Sequence, residues 1–275
     1  MKKILLSLGM ISVVAVLAIG ATGAFFSDTE TSTGNTFTAG AVDLTVDSQQ
    51  HYNGMVCTLG TNQIYTWQPE INTLPPYYPA QDSPCDGTWT ATNLGAQHQF
   101  FDFADVKPGD SGENTLSLHV DNDAWLRLVI SLVTDLDNSC TEPEEGTNSE
   151  SCTVSVPEGT TAGAGELREN LLFSVWLDEG QTVGFQNNGD LGEGDNIRNY
   201  AEPIIISSGT IDENGEIWNL SDAGGLYLIG GQTAYFGIDW NLPNTVGNDT
   251  QTDSMSATVE FQVEQHRNNP TPSWI

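Results

Sequence analysis

The feature that most constrains the fold is a regular alternation of apolar and polar residues with a period of two. It runs through 42–46, 116–120 and 257–263, where every second residue is Val, Leu, Ala or Phe. Side chains on a strand point to opposite faces in turn, so this pattern is typical of strands with one buried face. Helical spacing is nearly absent, and only 165–170 predicts a short helix. The chain is therefore expected to be all-β.

Other apolar runs add to these strands. Runs that are apolar on both faces, at 125–133 and 171–177, predict central strands, and shorter runs at 204–206, 227–229 and 233–240 predict three more. Pro, Gly, Asn and Asp stand at nearly every junction. About eight strands with long irregular connections predict an antiparallel two-sheet sandwich of the jelly-roll type.

Two long stretches interrupt the strand pattern of the predicted sandwich domain, which spans 37–265. The first, 47–98, is rich in aromatic residues and proline, and the second, 135–165, is acidic and rich in small residues. Each contains two cysteines, and both are interpreted as disulfide-stapled surface insertions. The residues after Gln265, 266–275, show no strand pattern and are expected to form a flexible tail.

The first 24 residues predict a signal peptide. Two lysines precede an apolar run over 4–19 that ends in small residues. Cleavage is predicted between Ala24 and Phe25, with the bond between Phe25 and Phe26 as the neighbouring choice. The alternative is an uncleaved membrane anchor, but the run is at the short end for a bilayer and lacks a basic flank. We therefore expect the membrane to be a partner only through the signal peptide.

The charge balance excludes several partners. The chain has 37 acidic residues against 7 basic ones and a formal net charge of −30. Lys107 is the only lysine after the signal peptide. Such a field repels nucleic acid and anionic lipid and attracts divalent cations. Adaptation to a salty medium is the alternative explanation.

Four cysteines lie in the part predicted to be exported, where an even number favours disulfides. Three pairings exist, and we favour Cys57 with Cys85 and Cys140 with Cys152, because each pair brackets a segment rich in turn formers. A zinc site is the competing interpretation. The spacings do not suit one, since no CxxC pair is present.

Several motifs carry a resemblance to a known family. The junction reads AFFSDTETS over 24–32 and is followed by GNTFTAGAVDL over 34–44. Further matches are FADVKPGD over 103–110 and NDTQTDS over 248–254. Together these segments resemble the TasA/camelysin family, although the two insertions have no counterpart in it. The resemblance implies a secreted jelly-roll subunit of biofilm-matrix fibres, processed by a dedicated signal peptidase.

In such fibres the freed N-terminal segment adds as a strand to the next subunit, so the chain's main partner would be itself. The residues 25–36 fit a donor strand, because they are rich in Thr and Ser, prone to β-structure and free of proline. Phe25, Phe26 and Phe37 are the candidate anchors for polymerisation. The alternative is an ordinary edge strand in the chain's own domain.

Members of the camelysin type have also been labelled metallo-endopeptidases. The four histidines, however, are scattered one per region, and neither HExxH nor GxSxG occurs. Paired carboxylates of a glycosidase would be invisible among so many acids. We expect no catalytic residues and a structural role, with a secreted metallo-endopeptidase as an alternative.

Calcium is the better chemical candidate, although no cofactor is expected to be required. Hard cations take oxygen ligands from glycine-bearing acidic loops, and the segment 187–196 has that composition. The candidate ligands are Asp178, Glu179, Asp190, Glu193 and Asp195. The segment lacks the spacing of an EF-hand, and a solvated acidic turn is the default interpretation.

A monomeric surface-binding module is a further alternative. Trp67, Tyr77 and Tyr78 lie in an aromatic stretch that could stack on sugars, although packing over a sandwich edge is commoner. Exposed aromatic rings would favour this alternative. In every case the expected location is extracellular, in a matrix or at the cell surface.

Overall fold

The structure is a computed structural model that describes residues 27–31, 42–139, 141, 144, 161–162, 165–182, 190–199, 202–222 and 226–274. Two antiparallel sheets form nearly all of its regular structure and pack into a sandwich around one apolar core. The predicted all-β class is confirmed, while the jelly-roll type stays a prediction.

Thirteen strands and one short helix are present in the described ranges. In chain order they are β1 (Ser27–Thr31), β2 (Leu44–Tyr52), β3 (Met55–Leu59), β4 (Tyr65–Pro69), β5 (Trp89–Thr92), β6 (Ser111–Val120), β7 (Ala124–Asp137), β8 (Thr161–Ala162), α1 (Leu167–Asn170), β9 (Leu172–Leu177), β10 (Ile204–Gly209), β11 (Glu216–Asn219), β12 (Thr233–Asn241) and β13 (Ser254–Gln265).

The smaller sheet has five strands in the order β1-β13-β7-β11, with β8 beside β7. The larger sheet has eight, in the order β10-β9-β12-β6-β2-β3-β4, with β5 beside β2. The strands predicted to be central are so placed, since β7 lies between β13 and β11, and β9 lies between β10 and β12.

The core lies between the sheets and follows the predicted alternation. Leu44, Val46, Leu116 and Leu118 face it from the larger sheet, and Phe261 faces it from the smaller one, each no more than 1 % exposed. Because every second residue of these strands is apolar, one face of each sheet packs on the core. In β6 the polar residues Thr115 and Ser117 of the other face are buried as well. The short helix α1 confirms the only helix predicted.

The region 47–98 departs from its interpretation as a surface loop. β2 continues to Tyr52, β3 and β4 extend the larger sheet, and β5 pairs with β2. The strand pattern is hard to see in the sequence because Ser48 and Gln50 are polar but buried. Ser48 donates a hydrogen bond to the carbonyl of Gly87, and Gln50 donates one to the carbonyl of Phe100.

Two further strand predictions need correction. The run 227–229 forms only an isolated bridge between Leu228 and Ala124, because Gly230 and Gly231 follow it at once. β11 was not predicted, since Trp218 is its only buried residue. A four-residue edge strand with one buried side chain has no recognisable alternation.

The disulfide between Cys57 and Cys85 is confirmed, with Cα atoms 6.0 Å apart. Cys57 lies in β3 and is fully buried, so the bridge starts from the core rather than from a surface loop. The predicted pair of Cys140 and Cys152 lies outside the described residues. Within the described ranges, no helix has the length and apolar character that crossing a bilayer requires.

Candidate functional site

The N-terminal strand β1 is the outermost strand of the smaller sheet. It runs antiparallel to β13, from Ser27 opposite Glu264 to Thr31 opposite Glu260. On its other side, β13 pairs with β7 along nearly its whole length. The described part of β1 therefore covers less than half of the edge that β13 presents.

The residues predicted for cleavage and polymerisation, Ala24, Phe25, Phe26 and Phe37, lie outside the described residues. The segment between them is described only over Ser27–Thr31, where its backbone pairs with its own chain. This pairing is the arrangement expected of an ordinary edge strand. It also identifies β13 as the strand against which the N-terminal segment fits.

An apolar cavity of about 350 Å³ opens beside the part of β13 that β1 does not cover. Met255, Val259 and Phe261 of β13 line it, together with Leu128 and Ile130 of β7. The space lies between the two sheets, so an apolar side chain placed here would join the existing core.

The other end of β13 is held by the chain's last residues. Glu264 is 2 % exposed and accepts hydrogen bonds from the Asn269 side chain at 2.7 Å and from the backbone and hydroxyl of Ser273 at 2.8 and 2.9 Å. The Trp125 indole donates to the carbonyl of Asn269 at 2.8 Å. The described part of the predicted flexible tail, 266–274, is thus hydrogen-bonded to β7 and β13.

The acidic loop predicted to bind calcium is organised around Asp178, which follows β9 and is 1 % exposed. Its two oxygens accept the backbone N–H groups of Gly194 at 3.0 Å and Asn196 at 3.1 Å. Burial raises the pKa of Asp178 to about 6, and these hydrogen bonds oppose the rise. Asp178 therefore holds the segment 190–199 against the larger sheet.

The other predicted ligands also serve the loop itself. Asp190 accepts the backbone N–H groups of Thr182 at 2.5 Å and of Leu191 at 2.9 Å. Asp195 accepts the backbone N–H of Ile197 at 2.9 Å. Glu179 forms an isolated β-bridge with Glu193. Among the described residues, no group of three or more His, Cys, Asp or Glu side chains could hold a metal ion. The calcium site stays a prediction.

The histidines lie apart in the fold. His51 contacts Glu70, and His98 accepts the backbone N–H of Gly95. His119 contacts Thr233 and Asp47, and His266 stacks on the Tyr227 ring. No two of them face each other across one site in the described part of the chain, so the arrangement of a histidine-based zinc protease does not occur there.

The aromatic stretch packs mainly onto the sandwich. Trp67 is 5 % exposed, and Tyr77 packs against the core. Tyr78 is 41 % exposed, but its hydroxyl donates to the carbonyl of Asp105 and Lys107 lies over its ring. A flat array of exposed rings, which a sugar-stacking surface needs, is not formed by these residues.

One polar grouping was missed by the sequence interpretation. His51, Glu113, Ser174 and Asp239 come from four strands and line one cavity. Each occupies a polar position of its own strand, which the alternation does show. Their proximity depends on which strands are neighbours and on the register between those strands. Neither the strand order nor the register can be predicted from the local sequence.

Comparison with known proteins concerns the N-terminal segment. A sequence model of the family described as camelysin metallo-endopeptidase matches residues 1–53. The match includes β1 and β2 and confirms the family resemblance for this part of the chain. No curated protein and no solved structure matches the sequence.

Proposed function

We propose that the chain is exported and works as a structural subunit that assembles with copies of itself by exchanging its N-terminal strand. The position of β1 carries the proposal, because this strand near the start of the chain lies at the edge of a sheet and pairs with β13 alone. A neighbour can supply such a strand while every other strand stays in place.

The register of β1 supports a longer exchanged strand than the five residues described. Ser27 lies opposite Glu264. The same register, continued in both directions, brings Phe26 to one end of β13 and Phe37 to the other. β13 has 12 residues, as does the segment 26–37. A donor strand of this length would cover the whole edge.

The continued register places the proposed anchors at the two ends of that edge. Phe37 of a neighbour would lie opposite Ser254, at the end of β13 that borders the apolar cavity. Phe25 and Phe26 would arrive where the chain's last residues are fastened to β13. Aromatic anchors in pockets add specificity to main-chain hydrogen bonds in strand addition.

Cleavage of the signal peptide would control the exchange of the N-terminal strand between subunits. Before cleavage between Ala24 and Phe25, the donor segment is joined to a signal peptide that resides in the membrane. A signal peptidase would free it, and assembly would follow outside the cell, in a matrix or at the cell surface. The net charge of −30 opposes close approach of subunits, so assembly should be faster at high ionic strength.

Deletion of Phe25–Thr36 from the processed protein tests the proposal. We expect a folded monomer that forms no fibres in electron micrographs, because the core strands from β2 onward are retained. The missing segment, added as a synthetic peptide, should cap subunits and slow growth of the intact protein. A peptide with proline at both Thr31 and Thr33 is the matched control, since it loses ladder hydrogen bonds.

Fibres formed equally well by the truncated protein would overturn strand exchange. A truncated protein that unfolds would show instead that β1 belongs permanently to its own domain.

A metallo-endopeptidase is the second candidate, because the family whose model matches residues 1–53 is described by that activity. Peptide hydrolysis by the purified protein, assayed with and without added zinc and then with a chelator, tests this activity. Hydrolysis that the chelator abolishes would establish it.

A further inference from the structure

A row of polar side chains crosses the larger sheet at one end of its central strands. His51 of β2 lies opposite Glu113 of β6, Glu113 lies opposite Asp239 of β12, and Asp239 lies opposite Ser174 of β9. Residues directly opposite one another on antiparallel strands project from the same face of a sheet. The four side chains therefore stand side by side on four neighbouring strands.

This row faces away from the core. Tyr52 and Trp240, which come next along β2 and β12, belong to the core, and successive residues of a strand alternate between its faces. A cavity of about 330 Å³ lies over the row and is also lined by Glu70 and Asn196. We call this cavity, with the row that begins at His51, the outer groove.

The imidazole of His51 has one ring nitrogen engaged and one unused. Nδ1 lies 2.5 Å from Oε1 of Glu70, and this hydrogen bond lowers the pKa of Glu70. An ionised carboxylate can only accept, so the hydrogen of this bond lies on Nδ1, and in the neutral imidazole Nε2 then keeps its lone pair. Nε2 is buried and has no hydrogen-bond partner among the described residues. It is an unused acceptor in the wall of the groove.

Two carboxyl groups in the groove have little to stabilise their charge. Glu113 is 8 % exposed, and its two oxygens share one donor, the hydroxyl of Thr115, at 3.2 and 3.3 Å. Asp239 accepts a long hydrogen bond of 3.4 Å from Ser174. Burial raises the pKa of both groups, and the charge of Asp239 raises that of Glu113 further.

The surroundings supply more negative charge than positive. Asp178 and Glu70 repel a charge on Glu113, whereas Arg198 attracts the charge on Asp239. None of the ion pairs among the described residues includes Glu113 or Asp239. The groove therefore combines one unused acceptor with two carboxyl groups that have more negative than positive charge around them.

We propose that the outer groove binds an organic cation that carries N–H donors, either a protonated amine or a guanidinium. Such a cation would donate to Nε2 of His51 and to the carboxylates of Glu113 and Asp239, and it would supply the missing positive charge. An anion would be repelled. A cation beside the two carboxyl groups favours their ionised forms, so binding should release protons to the solvent.

Two sources share this chemistry, namely a free polyamine and a lysine or arginine side chain of another protein. The binding site lies on the larger sheet, away from the edge of β13, so the inference is independent of strand exchange.

Isothermal titration calorimetry of the purified protein with putrescine, agmatine and Nα-acetyl-lysine amide tests the proposal. Putrescine and agmatine should bind saturably and release protons, which a comparison of buffers with different ionisation enthalpies detects. Tetramethylammonium has the charge but no N–H donor and should bind at least about tenfold more weakly. Tighter binding of acetyl-lysine amide than of putrescine would identify a protein side chain as the ligand, and the reverse order a free amine.

Variants separate the groove from the acidic surface as a whole. Glu113→Gln should weaken putrescine binding by about tenfold or more while the protein stays folded, because glutamine resembles the protonated carboxyl group. Glu213→Gln removes the same charge from an exposed turn before β11 and should change nothing. His51→Gln keeps an acceptor near Nε2, whereas His51→Phe removes it, so only the second should bind much more weakly.

Equal binding of tetramethylammonium would overturn the proposal. So would an equal loss of affinity in Glu113→Gln and Glu213→Gln, since either result would reveal only diffuse attraction to an acidic protein.

Discussion

The two sheets end in edges that are built in opposite ways. Along β4, one of the two outer strands of the larger sheet, the segment 82–85 takes up the outward backbone hydrogen bonds. Trp67 bonds to Asp82 and Ser83, and the N–H of Cys85 donates to the carbonyl of Tyr65. The disulfide then ties this segment to β3. Along β13, by contrast, the described covering strand is five residues long and belongs to the N-terminal segment.

The difference shows that one chain can cover two edges by different means. Unpaired strand edges invite pairing with other chains, and proteins usually block them. The β4 edge is blocked by neighbouring residues that a covalent bond holds in place. The β13 edge is covered by the N-terminal strand β1, and under the proposed strand exchange we expect assembly to involve this edge rather than the β4 edge.

The largest effect should come from the core beneath the β13 edge. Phe261 is fully buried, packs edge-on against Phe100 and lines the apolar cavity. Phe261→Ala should lower the free energy of unfolding by about 3–5 kcal/mol, measured by urea denaturation. Glu30→Ala, at the position paired with Phe261 in β1, should change it by less than about 0.5 kcal/mol. Similar losses in both variants would mean that β1 is integral to the fold.

The next largest effect on stability should come from the disulfide that holds the segment 82–85 along the β4 edge. Replacement of Cys57 and Cys85 by alanine should lower stability by about 3–4 kcal/mol, because the bridge closes a loop of 28 residues. The variant should still fold, since most of the core lies in other strands. It should also aggregate under conditions in which the truncated but oxidised protein stays monomeric. If it stays monomeric as well, the bridge does not protect the β4 edge.

A smaller effect should appear in the pH dependence at the start of β13. Asp253 accepts the backbone N–H groups of Glu166 and Leu167 at 2.6 and 3.0 Å, and burial raises its pKa from 3.8 to about 6. Below about pH 4, Asp253 is protonated in both the folded and the unfolded chain, and its contribution to stability is complete. As the pH rises from about 4 to about 6, Asp253 ionises in the unfolded chain before it does in the folded chain, so this contribution is lost.

The free energy of unfolding of Asp253→Asn should therefore fall by about 1 kcal/mol less between pH 4 and pH 6 than that of the original protein. Urea denaturation at several pH values across that range measures this difference. Asp121→Asn, at an exposed position, is the matched control. The assignment fails if both variants keep the slope of the original protein.

The smallest effect is that of calcium. If the acidic loop binds Ca²⁺, the cation should raise the melting temperature by a few degrees, and Mg²⁺ should do less. Asp190→Asn combined with Asp195→Asn should abolish the response, whereas loss of two charges at exposed Asp121 and Glu213 should not. A response that survives the first pair of changes would place the cation elsewhere.

The strands that the sequence predicted best are those in which apolar buried residues alternate with polar residues along the strand. Over 42–46 and 116–120 the apolar residues are buried in the core as expected, and so are Phe261 and Val263, whereas Ala257 is exposed. The short helix was also foreseeable, as was the bridge from Cys57 to Cys85. These features depend on residues close together in the chain.

The sequence interpretation was wrong where polar side chains are buried. Ser48 and Gln50 read as exposed, yet both are buried and bond to partners that lie 39 and 50 residues away. For Asp178 and Asp190 the ligation of calcium stays a prediction, and the structure adds that both carboxylates accept backbone N–H groups of the loop they organise.

The sequence by itself determined the β-class, the faces of the regular strands and the acidic character. Those properties arise from the two-residue period of the pleat and from composition, which are local. Only the tertiary structure decided that β1 pairs with β13, that 82–85 covers the β4 edge, and that His51 stands beside Glu113 and Asp239. Such pairings depend on strand order and register, which long-range contacts select from many arrangements with the same local pattern.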